Sequence, residues 1–227
     1  MRLTEQTWPE LVSGEPPLVC IPVGSCEQHG PHLPLATDTI VAEALVTALE
    51  AQLPGIVVGP SLTVTASGEH AGFPGTLSIG TAVFTDVVVE LCRSADWSAG
   101  VVLVNGHGGN REAIDRAVAT VRAEGRRVRS WWPMIGGGDA HAGRTETSLL
   151  LALRPDLVRL GAAAAGPTAP FQELAATVRS GGVVAVSQNG VLGDPAGASA
   201  DEGRSILAAL GGQLLSAVRA WRDEPAS

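Results

Sequence analysis

The segment that most limits the fold is Val101-Val-Leu-Val104, an apolar run that passes directly into Asn105-Gly-His-Gly-Gly-Asn110. An unbroken apolar run of this length reads as a strand buried on both faces, the condition of a parallel sheet covered by helices. The residues that follow agree. Ala113, Ile114, Ala117 and Val121 repeat along one face of a helix predicted over 110–124, and Gly125 stops it. Strand, glycine-rich turn and helix in that order belong to a β-α-β unit.

The same alternation recurs along the chain. Leu18–Val23 predicts a buried strand ending at Gly24. Residues 38–52 predict a helix with Asp38 or Thr39 near its N-cap, and Ile56–Val58 a second strand. A long polar loop spans 61–78. Residues 81–97 predict a helix, although Val87-Val-Val89 lowers its propensity. Val128–Trp132 reads as a strand, Thr145–Leu153 as a helix, and about 201–221 as the last helix, with Asp223–Ser227 as a frayed tail. The alanine-rich stretch 161–170 is a connection too short to mark a domain boundary. The expectation is an α/β fold: one α/β/α sandwich domain over residues 1–227 with a mostly parallel sheet.

Composition excludes several classes. With 45% hydrophobic and 17% charged residues the chain suits a compact enzyme and not a disordered segment. A net charge of −8 disfavours nucleic acid as a partner, since phosphate binding needs a basic face. Arg122, Arg126, Arg127 and Arg129 cluster, and read as a solvated helix end and strand start. Three cysteines without metal-type spacing fit a reducing compartment. There is no apolar signal-like start and no apolar run of the ~20 residues a membrane span needs. The expected location is the cytoplasm, with no membrane partner.

The chemistry lies in where the histidines and acids fall. Four of the five histidines sit in Gly/Pro-rich segments that follow strands or open helices. In open α/β sheets, loops at the carboxyl ends of strands bind ligands. In Gly24-Ser-Cys-Glu-Gln-His-Gly-Pro-His32, alternation points Glu27 and His29 the same way and turns Cys26 toward the core. Asp38 at a helix start is by itself an ordinary cap, yet its two oxygens can bridge two cations. His32, flanked by prolines, reads as a surface residue. His107 projects from a tight strand-to-helix turn, either as a satisfied turn histidine or as a ligand with room made by its glycines. In Asp139-Ala-His-Ala-Gly-Arg-Thr-Glu-Thr-Ser148, His141 and Glu146 can share one wall of a site, although helix-start electrostatics alone accounts for Glu146.

Taken together, Glu27, His29, Asp38, His107 and Glu146 exceed the three protein ligands of a mononuclear catalytic zinc. Three carboxylates nearly balance the charge of two divalent cations. The nitrogen and oxygen donors suit zinc, manganese or iron. His141 is left without a metal role and is placed to protonate a leaving nitrogen, which amide cleavage requires.

At these residues the sequence resembles the creatininase family of amidohydrolases. Pro22-Val-Gly-Ser-Cys-Glu-Gln-His-Gly-Pro-His-Leu-Pro-Leu-Ala-Thr-Asp38, Asn105-Gly-His-Gly-Gly-Asn110 and His141-Ala-Gly-Arg-Thr-Glu-Thr-Ser148 look like its hallmark segments, in order. The resemblance implies an α/β/α sandwich, a homo-oligomer, and a binuclear site from Glu27, His29, Asp38, His107 and a further carboxylate. Creatininases themselves carry an aromatic residue and a glutamate where this chain has Gly108 and Gly109. That departure weighs against creatinine as substrate and makes Glu146 the candidate fifth ligand.

Ser67-Gly-Glu-His-Ala-Gly-Phe-Pro-Gly-Thr-Leu-Ser-Ile-Gly80 and Ser187-Gln-Asn-Gly-Val-Leu-Gly-Asp-Pro195 extend the likeness, to the family's peptidases of the mycofactocin system. Those trim a radical-modified precursor peptide, releasing a C-terminal Val-Tyr-derived dipeptide during redox-cofactor biosynthesis. This implies the same modified precursor peptide as substrate, iron and zinc as metals, and Glu69, His70, Gly108 and Gly109 at the substrate. The residues alone also allow a simple turn at 68–75 and turn signals at Asn189-Gly190 and Asp194-Pro195. Two other readings stay open: a cyclic-amide or formamide hydrolase, and a non-catalytic metal-binding scaffold subunit.

Overall fold

The computed structural model describes residues 1–224. Strands β1 (Leu18–Val23), β2 (Ile56–Val58), β3 (Gly100–Asn105) and β4 (Val128–Trp131) form one sheet in the order β2-β1-β3-β4. All three neighbouring pairs are parallel. The helices are α1 (Trp8–Leu11), α2 (Thr37–Gln52), α3 (Gly80–Ser94), α4 (Arg111–Ala123), α5 (Arg144–Leu153), α6 (Phe171–Gly181) and α7 (Ala200–Asp223).

Side chains alternate along a strand, so β1 and β3 each feed two cores. Leu18, Cys20, Val102 and Val104 pack with Leu45 and Leu49 of α2, Leu150 of α5, and Leu210 and Leu214 of α7. Val19, Ile21, Val101 and Leu103 pack on the other face with Phe84 and Val88 of α3 and Ile114 and Val121 of α4. This is an α/β/α sandwich. Truncating a fully buried leucine such as Leu45 or Leu214 to alanine costs about 2–5 kcal/mol in such a core.

The chain leaves β1 for β2 at one edge, then crosses through α3 to β3 on the opposite side of β1. The order in which strands are added therefore reverses between β1 and β3. The crevice beyond the carboxyl ends of these two strands is where open α/β sheets bind ligands. Both motif-bearing loops, 24–36 and 106–110, leave the sheet there.

Two short helices escape the periodicity. α6 buries only Ala175 and Val178, too few contacts to write a pattern, and α1 has four residues and buries none. Ser199 caps α7 by accepting the Glu202 N–H, and the helix includes Asp223, which the sequence assigns to a frayed tail. The remainder of that tail, 225–227, lies outside the described residues. All three cysteines are free, and no described helix is long and apolar enough to cross a membrane.

Candidate metal centre

Glu27 and His29 are fully buried beyond the end of β1. The His29 Nδ1 lies 3.1 Å from the Glu27 carbonyl, which only accepts, so Nδ1 carries the proton. That leaves Nε2, 3.1 Å from Asp38 Oδ1 and 3.9 Å from Glu146 Oε2, as the nitrogen that a metal ion can take in place of a second proton. A backbone carbonyl fixing the far ring nitrogen is the usual way a ligating histidine is oriented.

Asp38 lies near the N-cap of α2, as the sequence predicts. Neither it nor Thr39 caps α2; the N-cap is Ala36, which has no side chain to do so. Asp38 sits in the first helical turn with its carboxylate turned into the site. Oδ2 accepts from Ser25 Oγ at 2.8 Å and lies 3.3 Å from His107 Nδ1. Thr39 donates to the Ser25 carbonyl at 3.0 Å, tying the same loop to the helix.

His107 follows β3. Its Nε2 lies 3.0 Å from the Ala66 carbonyl, 3.1 Å from Glu27 Oε2 and 3.5 Å from Glu69 Oε1. The backbone must come close here: a Cβ on Gly106 would sit 2.6 Å from the Asp38 carbonyl. The two asparagines of the motif bind the loops together. Asn105 donates to the His107 carbonyl at 2.6 Å. Asn110 donates to Asn105 Oδ1 and the Gly24 carbonyl, both at 3.0 Å, and accepts from the Ala66 N–H at 3.1 Å.

His141 and Glu146 enter from the third motif. His141 exchanges two backbone hydrogen bonds with Leu192. Ala142 follows at φ 53°, a left-handed conformation costly for a residue with a Cβ. It turns the Ala142 N–H onto Glu146 Oε2 at 2.5 Å and so holds that carboxylate. The Asp139 carboxylate accepts from the Arg144 and Thr145 N–H groups that open α5, fixing the turn that carries Glu146.

Three sets of donor atoms converge within 4.8 Å: Glu27–Asp38–His107, His29–Asp38–Glu146 and Glu27–His29–His141. The first two share Asp38. Histidine nitrogens approach Glu27 at ion-pair distance, yet both of its carboxylate oxygens are buried without a properly formed hydrogen bond. A buried carboxylate left so is costly unless a cation meets it. The nitrogen and oxygen donors fit a divalent metal ion.

The electrostatics of the chain alone show what a cation would replace. Burial disfavours the charged form of His29, but Asp38 beside it outweighs this and raises its pKa to about 10. His107 is likewise raised, against its burial, by Glu27 and Asp38. Asp38 is buried too, and the two imidazolium rings hold its pKa well below the usual range. Burial raises Glu146 to about 7 despite the pull of His29. His141 is pushed well below its ordinary value by burial and by His29 and His70.

Other expectations change. His32 is not a surface residue: it is buried, its Nε2 2.9 Å from Thr147 Oγ1. Cys26 is half-buried and not in the core, with Sγ 3.7 Å from the Gly75 carbonyl. The 68–70 segment is a tight turn and also reaches the site. His70 Nε2 is 3.4 Å from Glu27 Oε1, and its ring centroid is 4.5 Å from that of His141. Gly108 faces open space, while a Cβ on Gly109 would overlap the Glu69 carboxylate. Glu69 thus lies over the residue whose side chain the family resemblance finds missing. The arginine cluster does lie at the end of α4 and the start of β4, with Arg122 exposed, Arg126 paired with Glu124 and Asp96, and Arg127 over Trp221. Ser25, Gln28, Asn105, Asn110 and Asp139 hold the site together and were not singled out by the sequence, although each stands within two residues of a candidate that was.

This parallel α/β sandwich with a carboxylate–histidine cluster at its switch point has the architecture of an amidohydrolase. The chain belongs to the creatininase family: the family profile described as "Creatininase: Creatinine amidohydrolase" matches residues 4–218. It is 48% identical over 215 residues to the mycofactocin precursor peptide peptidase of Mycolicibacterium smegmatis, covering 92% of this chain and 87% of that one. It is 32% identical to the creatinine amidohydrolase of Pseudomonas putida, over 74% of this chain and 77% of that one. The solved structure described as "Creatininase Mn" superposes with a TM-score of 0.79 at 26% identity, covering 98% of this chain and 99% of that one. The protein is a hydrolase of this family.

Proposed function

We propose that the chain, acting as one creatininase-like domain, is a binuclear metal-dependent peptidase that removes a C-terminal Val-Tyr-derived dipeptide from the radical-modified mycofactocin precursor peptide. The observation that carries the metal reading is the sharing of Asp38 by two donor sets, Glu27–Asp38–His107 and His29–Asp38–Glu146. The substrate reading rests on the 48% identity to a peptidase named for that precursor. Zinc, iron or manganese suits the nitrogen and oxygen donors.

Two divalent cations at this place would activate water and polarise the scissile carbonyl. The chain's own residues do the rest. His141, with Nδ1 4.0 Å from Glu27 Oε1, carries the proton that the departing amine requires. Glu69, His70, Gly108 and Gly109 contact the peptide. The open space above Gly108 supports this, and so does the part-exposed carboxylate of Glu69. The free cysteines fit work in the cytoplasm, and the family resemblance a homo-oligomer.

Metal-reconstituted protein incubated with the modified precursor is expected to release the dipeptide, detected by mass spectrometry. Turnover of creatinine or a formamide with no dipeptide would assign a small-amide hydrolase instead. His141→Ala protein that still supports cofactor formation would assign a scaffold.

A further inference from the structure

The structure assigns to Gln28 the task of fixing which ring nitrogen of His70 and of His141 carries the proton, with Gly190 as the wall that locks its amide. The role in turnover rests on the hydrolase reading above; the hydrogen-bond assignment does not.

Gln28 is buried, 5% exposed, and two backbone groups of known polarity fix its orientation. Its Oε1 accepts the Gly30 N–H at 2.9 Å, and its Nε2 donates to the Gly190 carbonyl at 3.0 Å. One amide hydrogen remains. It meets His70 Nδ1 at 2.8 Å, so that nitrogen holds a lone pair. The His70 proton is therefore on Nε2, which faces Glu27 Oε1 at 3.4 Å.

His141 follows from the same count. Its Nε2 is 2.8 Å from the Gln28 backbone carbonyl and 3.1 Å from Gln28 Nε2. A carbonyl only accepts and no amide hydrogen is left over, so His141 Nε2 carries the proton. The opposite nitrogen, Nδ1, keeps a lone pair on the side of Glu27. The Nδ1 lone pair makes His141 a proton acceptor in turnover. Water loses a proton to Nδ1 as the new C–O bond forms. Nδ1 then returns that proton to the amine nitrogen as the C–N bond breaks. Each cycle leaves His141 as it began.

Gly190 explains why the second peptidase-like segment matters. Its φ of 80° suits glycine, and a Cβ there would overlap the Gln28 carboxamide. The Asn189-Gly190 turn packs against this amide, although it follows all three metal motifs in sequence.

The test uses protein labelled with 15N-histidine and loaded with zinc, which is diamagnetic. Five histidines give ten ring nitrogens, and protonated and lone-pair nitrogens are well separated in 15N shift. Wild type is expected to show His70 protonated on Nε2 and His141 on Nε2. Gln28→Glu offers a lone pair where the amide hydrogen was, and should move the His70 proton to Nδ1. Gln28→Met removes the contact while keeping length. Both variants should retain the wild-type metal content. With the modified precursor, kcat should fall about 10-fold or more while KM stays within about 2-fold, because either change withdraws the Gln28 amide that lies 3.1 Å from His141 Nε2 and orients the ring that transfers the proton. Unchanged ring signals in both variants, unchanged kcat, or loss of metal would each overturn the assignment. Wild-type protein that shows the expected ring protons but no peptide turnover would sink the substrate reading alone.

Discussion

Ser25 Oγ donates to Asp38 Oδ2 at 2.8 Å, joining the loop after β1 to the first turn of α2. The bond holds the carboxylate that both donor sets share, so Ser25 acts on the site without contributing a ligand. Partners of this kind typically affect metal affinity by about 10–100-fold. Ser25→Ala is therefore expected to weaken metal binding by that factor with the fold intact, read by competition with a chromophoric chelator. Unchanged affinity would show that Asp38 is positioned by α2 alone.

Asp38 itself should be less forgiving. If it touches both cations, Asp38→Ala removes a ligand from each at once. Metal content by mass spectrometry should fall below half of wild type. Activity should drop about 10³-fold or more, the equivalent of the several kcal/mol a metal ion contributes to charge stabilisation. Retention of two ions per chain would contradict the sharing.

A second consequence concerns pH. In metal-free protein the His29 pKa is raised to about 10 from 6.5, and His107 is raised as well. Their contribution to stability is fully present below about 6.5 and is lost as pH rises toward 10. His70 and His141 are shifted the other way and lose stability only as pH falls below that window. A cation replaces the protons of His29 and His107, so the gain in Tm on adding zinc should grow from pH 6.5 to 9. Paired thermal scans with and without chelator check this. A gap that narrows with rising pH would contradict it.

Gly109 gives a steric test. Its missing Cβ leaves the space that the Glu69 carboxylate and the His107 ring occupy. Gly109→Ala should displace both, costing about 1–3 kcal/mol of stability and at least about 10-fold in activity. Gly108→Ala, where nothing lies within 4 Å, should leave stability near wild type. Equal effects at the two glycines would remove the distinction.

Much of this architecture was legible because strands buried on both faces write their limits plainly. Leu18–Val23 and Ile56–Val58 match their predicted bounds, since glycine or proline flanks each run. The ligand candidates were legible because histidines and acids stood beside glycines at strand ends. What stayed hidden depends on tertiary contact. Asp38 looks like a cap in one dimension and only Ser25, His29 and His107 reveal its orientation. His32 looks exposed between prolines until Thr147, 115 residues later, closes over it. Gln28 carries no charge and no metal-ligand signature, so its partners at His70, His141 and Gly190 could not be read from spacing.

The proposed pair of cations lies on either side of Asp38. Crystals of metal-reconstituted protein, measured at the absorption edge of the added metal, report this directly. The expected map has two anomalous peaks about 3.5–4 Å apart, one beside Glu27 and His107, the other beside His29 and Glu146, each within bonding reach of Asp38. A single peak, or a pair remote from Asp38, would contradict the shared site and with it the hydrolytic mechanism built on it.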